Sequence, residues 1–341
     1  MKLKKGEGNV EIENIPEPFP GSEEVKIEVK AAGICGSDIH IYHDDIKIPV
    51  KPPVVMGHEF SGIVTEVGKN VTEIKVGDAV TSETAASVCG VCRYCRTGNY
   101  NLCPHRLVIG YWINGAFTRY CVVPKERIHK LPKNVDFISA AMYEPLSCCV
   151  HGVIELTGVT VGDVVVITGP GAIGLLTLQI AKAEGGRIVM CGTFQDQKRL
   201  KLAQELGADV IVDIQKENAS EIISDLTGGY GADVVFECSG APKAANFGLD
   251  AVRKQGKYTQ IGLLGRPIEV DFEKIAYKEI KLTGSFSQKW TDWELALKLL
   301  SQGKIKTKPL VSDILPITRW KEGFKKHEEK TGIKIILTPI E

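Results

Sequence analysis

The sequence predicts an α/β protein with two domains, an irregular β domain followed by a doubly wound parallel sheet. Up to about residue 130, short apolar runs alternate with Gly, Pro and Asp turn signals, which is typical of a β domain. After Glu144, each apolar run is followed by a helical pattern, and repeated βα units predict a parallel sheet covered by helices on both faces. A length of 341 residues also suits two domains better than one.

The elements follow in order along the chain. In the first domain, strands are predicted at 25–29, 62–67, 79–81 and 117–123. The βα units pair strands 164–168, 187–191, 210–212 and 234–237 with helices 173–184, 198–206, 219–226 and 244–252. A helix at 293–300 and a strand at 333–337 complete the chain. We place the domain boundaries at 1–150, 151–285 and 286–341.

The composition of the chain argues against nucleic-acid binding and membrane association. Lys plus Arg and Asp plus Glu both number 42, so no net charge attracts a polyanion, and we expect no nucleic-acid partner. The longest apolar runs are strand-length, far below the ~20 residues of a membrane span, so we expect no membrane association. Ten cysteines behind an N-terminus without an apolar signal core predict a soluble protein of the reducing cytoplasm.

Four of the cysteines form one short run with the spacing C-x2-C-x2-C-x7-C, at Cys89, Cys92, Cys95 and Cys103. Short spacers let neighbouring thiolates turn inward, and the longer loop returns the last one, so the run predicts a tetrahedral zinc site in a lobe at 85–105. Four protein ligands leave no position for a substrate, which makes this zinc structural. A disulfide knot and four unrelated cysteines are the alternatives.

A glycine-rich turn stands between the strand 164–168 and the next helix. It contains Gly169, Gly171, Ala172, Ile173 and Gly174 in the pattern G-x-G-x-x-G. At a strand-to-helix turn these glycines permit a tight bend and close approach of a pyrophosphate, while the helix N-terminus offers unpaired N–H groups. The turn predicts a dinucleotide site; a glycine turn without a ligand is the alternative.

The end of the second βα strand bears on the choice between NAD and NADP. NAD sites usually carry a carboxylate there, but this chain has Gly192 and Thr193. Thr193, Lys198 and Arg199 could meet a 2′-phosphate, which favours NADP, although Asp196 lies nearby and could support NAD. We also include in the cofactor site Ser239, Ile261, Gly262 and Ser285.

A second metal site is predicted from Cys35, His58 and Glu144. One thiolate, one imidazole and one carboxylate can hold zinc and leave a position open for catalysis. Glu59 directly follows His58, and in an extended chain the two side chains diverge, so we expect Glu59 to be an exchanging ligand or a carboxylate behind the ligands. Whether Glu59 or Glu144 binds the metal directly stays open.

These motifs occur together over essentially the whole chain and resemble those of the zinc-dependent medium-chain alcohol dehydrogenases. The motifs are G-x-C-G-S-D-x-H at Gly33 to His40, G-H-E at Gly57 to Glu59, the four-cysteine run and the glycine turn. The resemblance implies a GroES-like β catalytic domain, a Rossmann domain and a C-terminal segment that returns to the first. It implies two zinc ions per chain, NAD(P), catalytic roles for Ser37, His40 and Glu59, and a homodimer or homotetramer.

Two runs of the sequence resemble two branches of the family that act on different substrates. The run Glu144-Pro145-Leu146-Ser147 is similar to the sorbitol and polyol dehydrogenases, whereas His40-Ile41-Tyr42-His43-Asp44 looks more like threonine 3-dehydrogenase. We predict oxidation of a secondary alcohol of a polyol or sugar alcohol to the ketone. The alternatives are threonine or a 2,3-diol as substrate, and a zinc-lobe protein that binds nucleotide without catalysis.

Overall fold

The computed structural model describes residues 1–339, and these divide into two compact units. Unit 1 consists of Met1–Glu144, Gln288–Ser301 and the chain from Leu310 onward. Unit 2 consists of Pro145–Ser287 and Gln302–Pro309. Unit 2 is therefore inserted, in sequence, into unit 1.

Strands and helices occur in both units. The strands are β1 Glu24–Gly33, β2 Glu59–Val67, β3 Ala79–Ser82, β4 Ala85–Ser87, β5 Leu107–Val108, β6 Tyr120–Pro124, β7 Ile128–Lys130, β8 Val164–Thr168, β9 Arg187–Gly192, β10 Val210–Asp213, β11 Ala232–Glu237, β12 Val252–Gln260, β13 Lys281–Gly284, β14 Val311–Pro316 and β15 Lys334–Thr338. The α-helices are α1 Gly36–His43, α2 Arg93–Arg96, α3 Phe137–Ala140, α4 Tyr143–Val150, α5 Ala172–Ala183, α6 Gln197–Glu205, α7 Ala219–Thr227, α8 Pro242–Ala251, α9 Glu273–Tyr277, α10 Trp290–Ser301 and α11 Trp320–Glu328.

Unit 1 is built on a seven-stranded sheet in the order β14-β15-β1-β2-β3-β7, with β6 also paired to β1. The β1–β2 pair is antiparallel, and its register shifts at two points, which bends the strands. Fully buried side chains such as Val25, Ile27 and Val80 form its core. The last strand, β15, pairs with β1 beside Gly33, so a segment from the end of the chain reaches the strand that precedes Cys35.

Unit 2 is a six-stranded parallel sheet in the order β10-β9-β8-β11-β12-β13. Its central strand β8 is an unbroken apolar run, and Val165, Val166 and Ile167 have no exposed surface, as expected for a strand covered on both faces. The strand order reverses between β8 and β11, and the carboxyl ends at such a point form a ligand-binding crevice.

The predicted βα units are confirmed to within two residues at each end; for example, the strand predicted at 164–168 is β8. The strand predicted at 117–123 begins only at Tyr120. Phe117 belongs instead to a loop, because its N–H donates to the carbonyl of Met56 at 2.9 Å. Within residues 1–339, no helix has the length and apolar character needed to cross a membrane.

Candidate active site and cofactor site

The four cysteines of the lobe converge in unit 1. Their Sγ atoms all lie within 4.8 Å of one another, and the Cys89 sulfur is 3.6 Å from that of Cys103 and 4.0 Å from that of Cys95. Sulfurs bound to one zinc at about 2.3 Å would be about 3.8 Å apart, whereas a disulfide requires about 2.05 Å. The donor set therefore fits a tetrahedral zinc. Backbone N–H groups of Cys92 and Val91 lower the pKa of the Cys89 thiol to about 6, which favours the thiolate that a metal binds.

A second group of metal-binding side chains joins Cys35, His58 and Glu59. One ligand atom from each lies within 4.8 Å of the other two. Cys35 directly precedes α1, and its N–H donates to the Asp38 carboxylate at 2.9 Å. A thiolate, an imidazole and a carboxylate in this arrangement fit a zinc ion, and three protein ligands would leave a position for another ligand.

Two glycines explain why His58 and Glu59 both reach this group. Gly57 has φ +87°, and a Cβ there would lie 2.4 Å from the Phe117 ring, so the chain turns at a position that only glycine tolerates. Glu59 then pairs with Gly33 across the sheet, where a Cβ would lie 2.3 Å from the Glu59 carboxylate. The predicted divergence of His58 and Glu59 does not occur. His58 lies between the turn at Gly57 and the start of β2 at Glu59, so the two side chains are not consecutive residues of one extended strand.

The surroundings of the group are negatively charged. Burial alone would lower the pKa of His58, but hydrogen bonding to Cys35 and the charges of Cys35 and Asp38 raise it to about 10. The buried atoms His58 Nδ1 and Asp38 Oδ1 are 3.9 Å apart, and neither has a hydrogen-bond partner among residues 1–339. Such a site favours a cation, and Asp38 stands where a carboxylate orients a metal-binding histidine.

Lys334 is a site residue that the sequence analysis missed. Its Nζ donates to the Glu59 carboxylate at 2.6 Å and to the Ile34 carbonyl at 3.0 Å, and the lysine side chain is only 4% exposed. Burial alone would lower the pKa of Lys334, but the charges of Glu59 and Cys35 outweigh it and raise that pKa. A lysine inside the apolar strand β15 was the available signal, since buried lysines usually have an acidic partner.

Glu144, the other predicted carboxylate, lies close to the group but outside it. Within residues 1–339 it is not among the ligand atoms that gather within 4.8 Å, whereas Glu59 is. The charge of Glu144 nevertheless contributes to the raised pKa values of His58 and Lys334. Its Oε1 accepts a hydrogen bond from Gln288 Nε2 at 3.0 Å. The structure therefore brings two carboxylates to the site, with Glu59 nearer to the thiol and imidazole.

Ser37 and His40, both on α1, differ in their surroundings. Ser37 Oγ is 3.5 Å from His58 Nε2, and the ring centre of Tyr111 is 5.7 Å from that of His58. His40 lies further out, with its side chain 46% exposed and Nδ1 2.9 Å from the Asp45 carboxylate. Ser37 is thus in position to touch a ligand of this site, and His40 is in position to exchange protons with water.

The glycine turn of unit 2 lies at the carboxyl end of β8, where the strand order reverses. A Cβ on Gly174 would lie 2.0 Å from the Gly169 carbonyl oxygen, so α5 packs closely on the turn. A Cβ on Gly171 would meet no atom of the described residues, 1–339, within 4 Å, which leaves open space in front of the α5 N-terminus at Ala172 and Ile173. This cradle fits a pyrophosphate.

The other predicted cofactor residues lie at the same sheet edge. Ser239, Ile261, Gly262 and Ser285 follow the carboxyl ends of β11, β12 and β13. After β9, Thr193 Oγ1 donates to Asp196 Oδ2 at 2.7 Å, and Arg199 is 3.4 Å from Asp196 Oδ1. Lys198 is exposed. Asp196 therefore holds both Thr193 and Arg199.

The metal cluster and the nucleotide cradle together define a metal-dependent dehydrogenase. The family model described as the alcohol dehydrogenase GroES-like domain matches residues 21–133, and that of the zinc-binding dehydrogenases matches residues 172–302. The chain belongs to this family of zinc-binding dehydrogenases. The predicted family, the fold class and the reaction class, hydride exchange between an alcohol and NAD(P), are confirmed.

Similar proteins cover nearly the whole chain. A sorbitol dehydrogenase of Halalkalibacterium halodurans is 48% identical over 342 residues, covering 100% of this chain and 99% of that protein. A D-arabitol-phosphate dehydrogenase of Enterococcus avium is 46% identical over 321 residues, covering 94% and 91%. A zinc-binding dehydrogenase of Sinorhizobium meliloti, solved bound to NADP, has a TM-score of 0.91 with 31% identity, covering 98% and 97%.

Proposed function

We propose that this dehydrogenase oxidises a secondary hydroxyl of a polyol or sugar alcohol to the ketone. The observation that carries the proposal is the group of Cys35, His58 and Glu59 within 4.8 Å, with a serine hydroxyl beside it. The names of the two relatives at 48% and 46% identity support a polyol as the substrate. Related L-threonine 3-dehydrogenases are 36–39% identical, which supports threonine less.

The chemistry follows from the donor groups. When bound, the zinc acts as a Lewis acid on the alcohol oxygen and the nicotinamide accepts the hydride. Cys35, His58 and Glu59 hold the metal, and Lys334 fixes the Glu59 carboxylate. A metal held by three protein side chains keeps one of four positions for the substrate.

A proton must leave the alcohol as the hydride departs. Ser37 can relay this proton by accepting it at Oγ while passing on its own hydroxyl proton, since a hydroxyl both donates and accepts hydrogen bonds. We propose that His40 delivers it to solvent, because the ring is half exposed and paired with Asp45. Substituting His40 with Ala should slow oxidation mainly at low pH; a loss that is equal at every pH would contradict the relay.

A preference for NADP is part of the proposal. The absence of a carboxylate at Gly192 and Thr193, and the presence of Arg199, support binding of a 2′-phosphate. Asp196 opposes it, because this carboxylate already occupies Arg199 and would repel a phosphate. The ratio of kcat/KM for NADP to that for NAD measures the preference, and a ratio below one would overturn it.

A phosphorylated polyol is a second candidate substrate. The relative from Enterococcus avium is named for D-arabitol phosphate and is nearly as similar to this chain as the sorbitol dehydrogenase. The deciding experiment is an absorbance assay of nicotinamide reduction with free polyols, polyol phosphates, 2,3-diols and threonine, each with NAD and NADP. Activity on threonine alone would refute the polyol proposal.

Assembly, metal content and location complete the proposal. We expect a homodimer or homotetramer that forms through β13, because this edge strand exposes Leu282 to 46% and the nearby Tyr277 to 77%. Unit 1 would be the catalytic part and unit 2 the cofactor-binding part. Metal analysis should find two zinc ions per chain, one in the lobe. Within residues 1–339 the ten cysteines form no disulfide bond, which supports a reducing cytoplasm.

A further inference from the structure

Gln288 is a buried amide whose hydrogen bonds to Glu144 and Thr84 are not required by the proposed reaction. The side chain is 2% exposed, and its Nε2 donates to Glu144 Oε1 at 3.0 Å and to Thr84 Oγ1 at 3.4 Å. An uncharged amide donor beside a buried carboxylate fixes the carboxylate without neutralising it. Gln288 therefore determines where one oxygen of Glu144 lies.

The segment that carries Gln288 is held by the same part of unit 1. The N–H of Trp290 donates to the Tyr100 hydroxyl at 2.6 Å, and this hydroxyl donates to Glu83 Oε2 at 2.6 Å. Glu83 directly precedes Thr84, the second partner of Gln288. Because Trp290 is two residues from Gln288 and Glu83 adjoins Thr84 along the backbone, a displacement of Tyr100 would also displace Gln288 or its partner.

Tyr100 belongs to the four-cysteine lobe, since it stands between Cys95 and Cys103 in the loop that a metal would close. A second contact, from Lys289 Nζ to Asn99 Oδ1 at 3.4 Å, joins the same lobe to the same segment. The lobe, although remote from the reacting metal in sequence, is linked to Glu144 through residues 288–290.

Glu144 could close the catalytic site. With Cys35, His58 and Glu59 it would supply a fourth protein ligand, and a zinc with four protein ligands is structural rather than catalytic. We propose that Gln288, supported by Tyr100 of the lobe, holds Glu144 back so that the fourth position stays open. Gln288 is then a positioning residue that keeps the metal reactive at the expense of binding it less tightly.

The inference rests on the proposed zinc-dependent function, and it predicts opposite changes in metal affinity and turnover. Gln288→Met keeps the size of the side chain and removes the hydrogen-bond donor. In this variant we expect Glu144 to coordinate the zinc permanently. We expect kcat/KM for the alcohol to fall about tenfold or more, as for the loss of a hydrogen bond to a charged group. Zinc at the Cys35 site should at the same time resist a competing chelator more strongly.

The visible spectrum of the cobalt-substituted protein reports the coordination directly and needs no turnover. Gln288→Met and Tyr100→Phe should both alter the bands of the Cys35 site, and the double variant should change no more than Gln288→Met alone. Gln179→Met removes another buried amide, whose donors bond to Leu175 and Lys306 in unit 2, and is the matched control. It should lower stability and leave the cobalt spectrum unchanged.

Several outcomes would overturn the inference. An unchanged cobalt spectrum in Gln288→Met, or weaker zinc binding, would show that Gln288 does not restrain Glu144. If the spectral changes of Tyr100→Phe and Gln288→Met add fully in the double variant, the lobe does not act on Glu144 through Gln288. If the unaltered enzyme oxidises no alcohol, the proposed function fails, while chelator competition and the cobalt spectrum still decide the role of Gln288.

Discussion

The buried ion pair between Lys334 and Glu59 provides a direct test of how the catalytic site is built. The two side chains are 4% and 1% exposed, and their charged atoms are 2.6 Å apart. Lys334→Met keeps most of the apolar stem and removes the charge. The variant leaves the Glu59 carboxylate buried without its cation and removes a hydrogen bond to Ile34.

The expected loss is large because both side chains are buried, so the Glu59 carboxylate would stay in the protein interior without its cation. Breaking a buried ion pair by removing one partner costs about 3–5 kcal/mol. At about 2–4 °C per kcal/mol for a domain of 150–250 residues, the melting transition of unit 1 should fall by about 6–20 °C. Zinc bound at Cys35, His58 and Glu59 would supply positive charge to the same carboxylate, so the melting temperature should fall less in the zinc-loaded protein than in the metal-free protein.

Scanning calorimetry of both metal states, with metal content recorded, measures the effect. Lys26→Met is the matched control, because Lys26 is also buried in the sheet of unit 1 but its partners Glu17 and Glu66 are 53% and 43% exposed. Water can solvate these two carboxylates, so the melting temperature of the control variant should fall clearly less. Equal losses in the two variants, or a larger loss with zinc bound, would refute the reasoning.

Four further predictions concern other parts of the molecule. Cys35→Ser should abolish turnover and leave cofactor binding nearly intact by titration; unchanged turnover would contradict the metal assignment. Cys95→Ala should lower stability or assembly, as seen by calorimetry and light scattering, while the remaining folded enzyme still reacts. Arg199→Ala should lower the ratio of kcat/KM for NADP to that for NAD, and a constant ratio would exclude Arg199 from the phosphate site. The pKa of His43 is raised chiefly by its hydrogen bond to Glu328, so its stabilising effect is present below about pH 6.5 and lost as pH rises through the raised pKa; His43→Gln should reduce this pH dependence of the melting temperature.

Local patterns were sufficient to predict much of the fold. The strand 164–168 is observed as β8 because a parallel strand buried on both faces must be apolar throughout, and the adjacent glycine turn marks its carboxyl end. The convergence of the four cysteine sulfurs was likewise predictable from the sequence, since metal-ligand spacing is a local property. Phe117 was assigned to a strand because its apolar character did not distinguish strand pairing from the loop that packs on Gly57.

Local sequence patterns could not predict how the carboxylates are arranged at the metal site. Adjacent residues in a strand point to opposite faces, so His58 and Glu59 were expected to diverge. The turn at Gly57 and the space above Gly33 change this outcome, and both depend on contacts across the sheet. The pairing of Lys334 with Glu59 joins positions 275 residues apart, a separation that no local pattern reveals.

The separation of Glu59 and Lys334 along the chain determines the order in which the residues of the metal site are synthesised. Cys35, His58 and Glu59 leave the ribosome early, and unit 2 and α10 must be made before Lys334 follows. At about 5–20 residues per second, the 275 positions from Glu59 to Lys334 take about 14–55 s to synthesise. During that interval the nascent chain carries a thiol, an imidazole and a carboxylate without their lysine, so a metal that binds then would meet a more negative site than the finished enzyme presents.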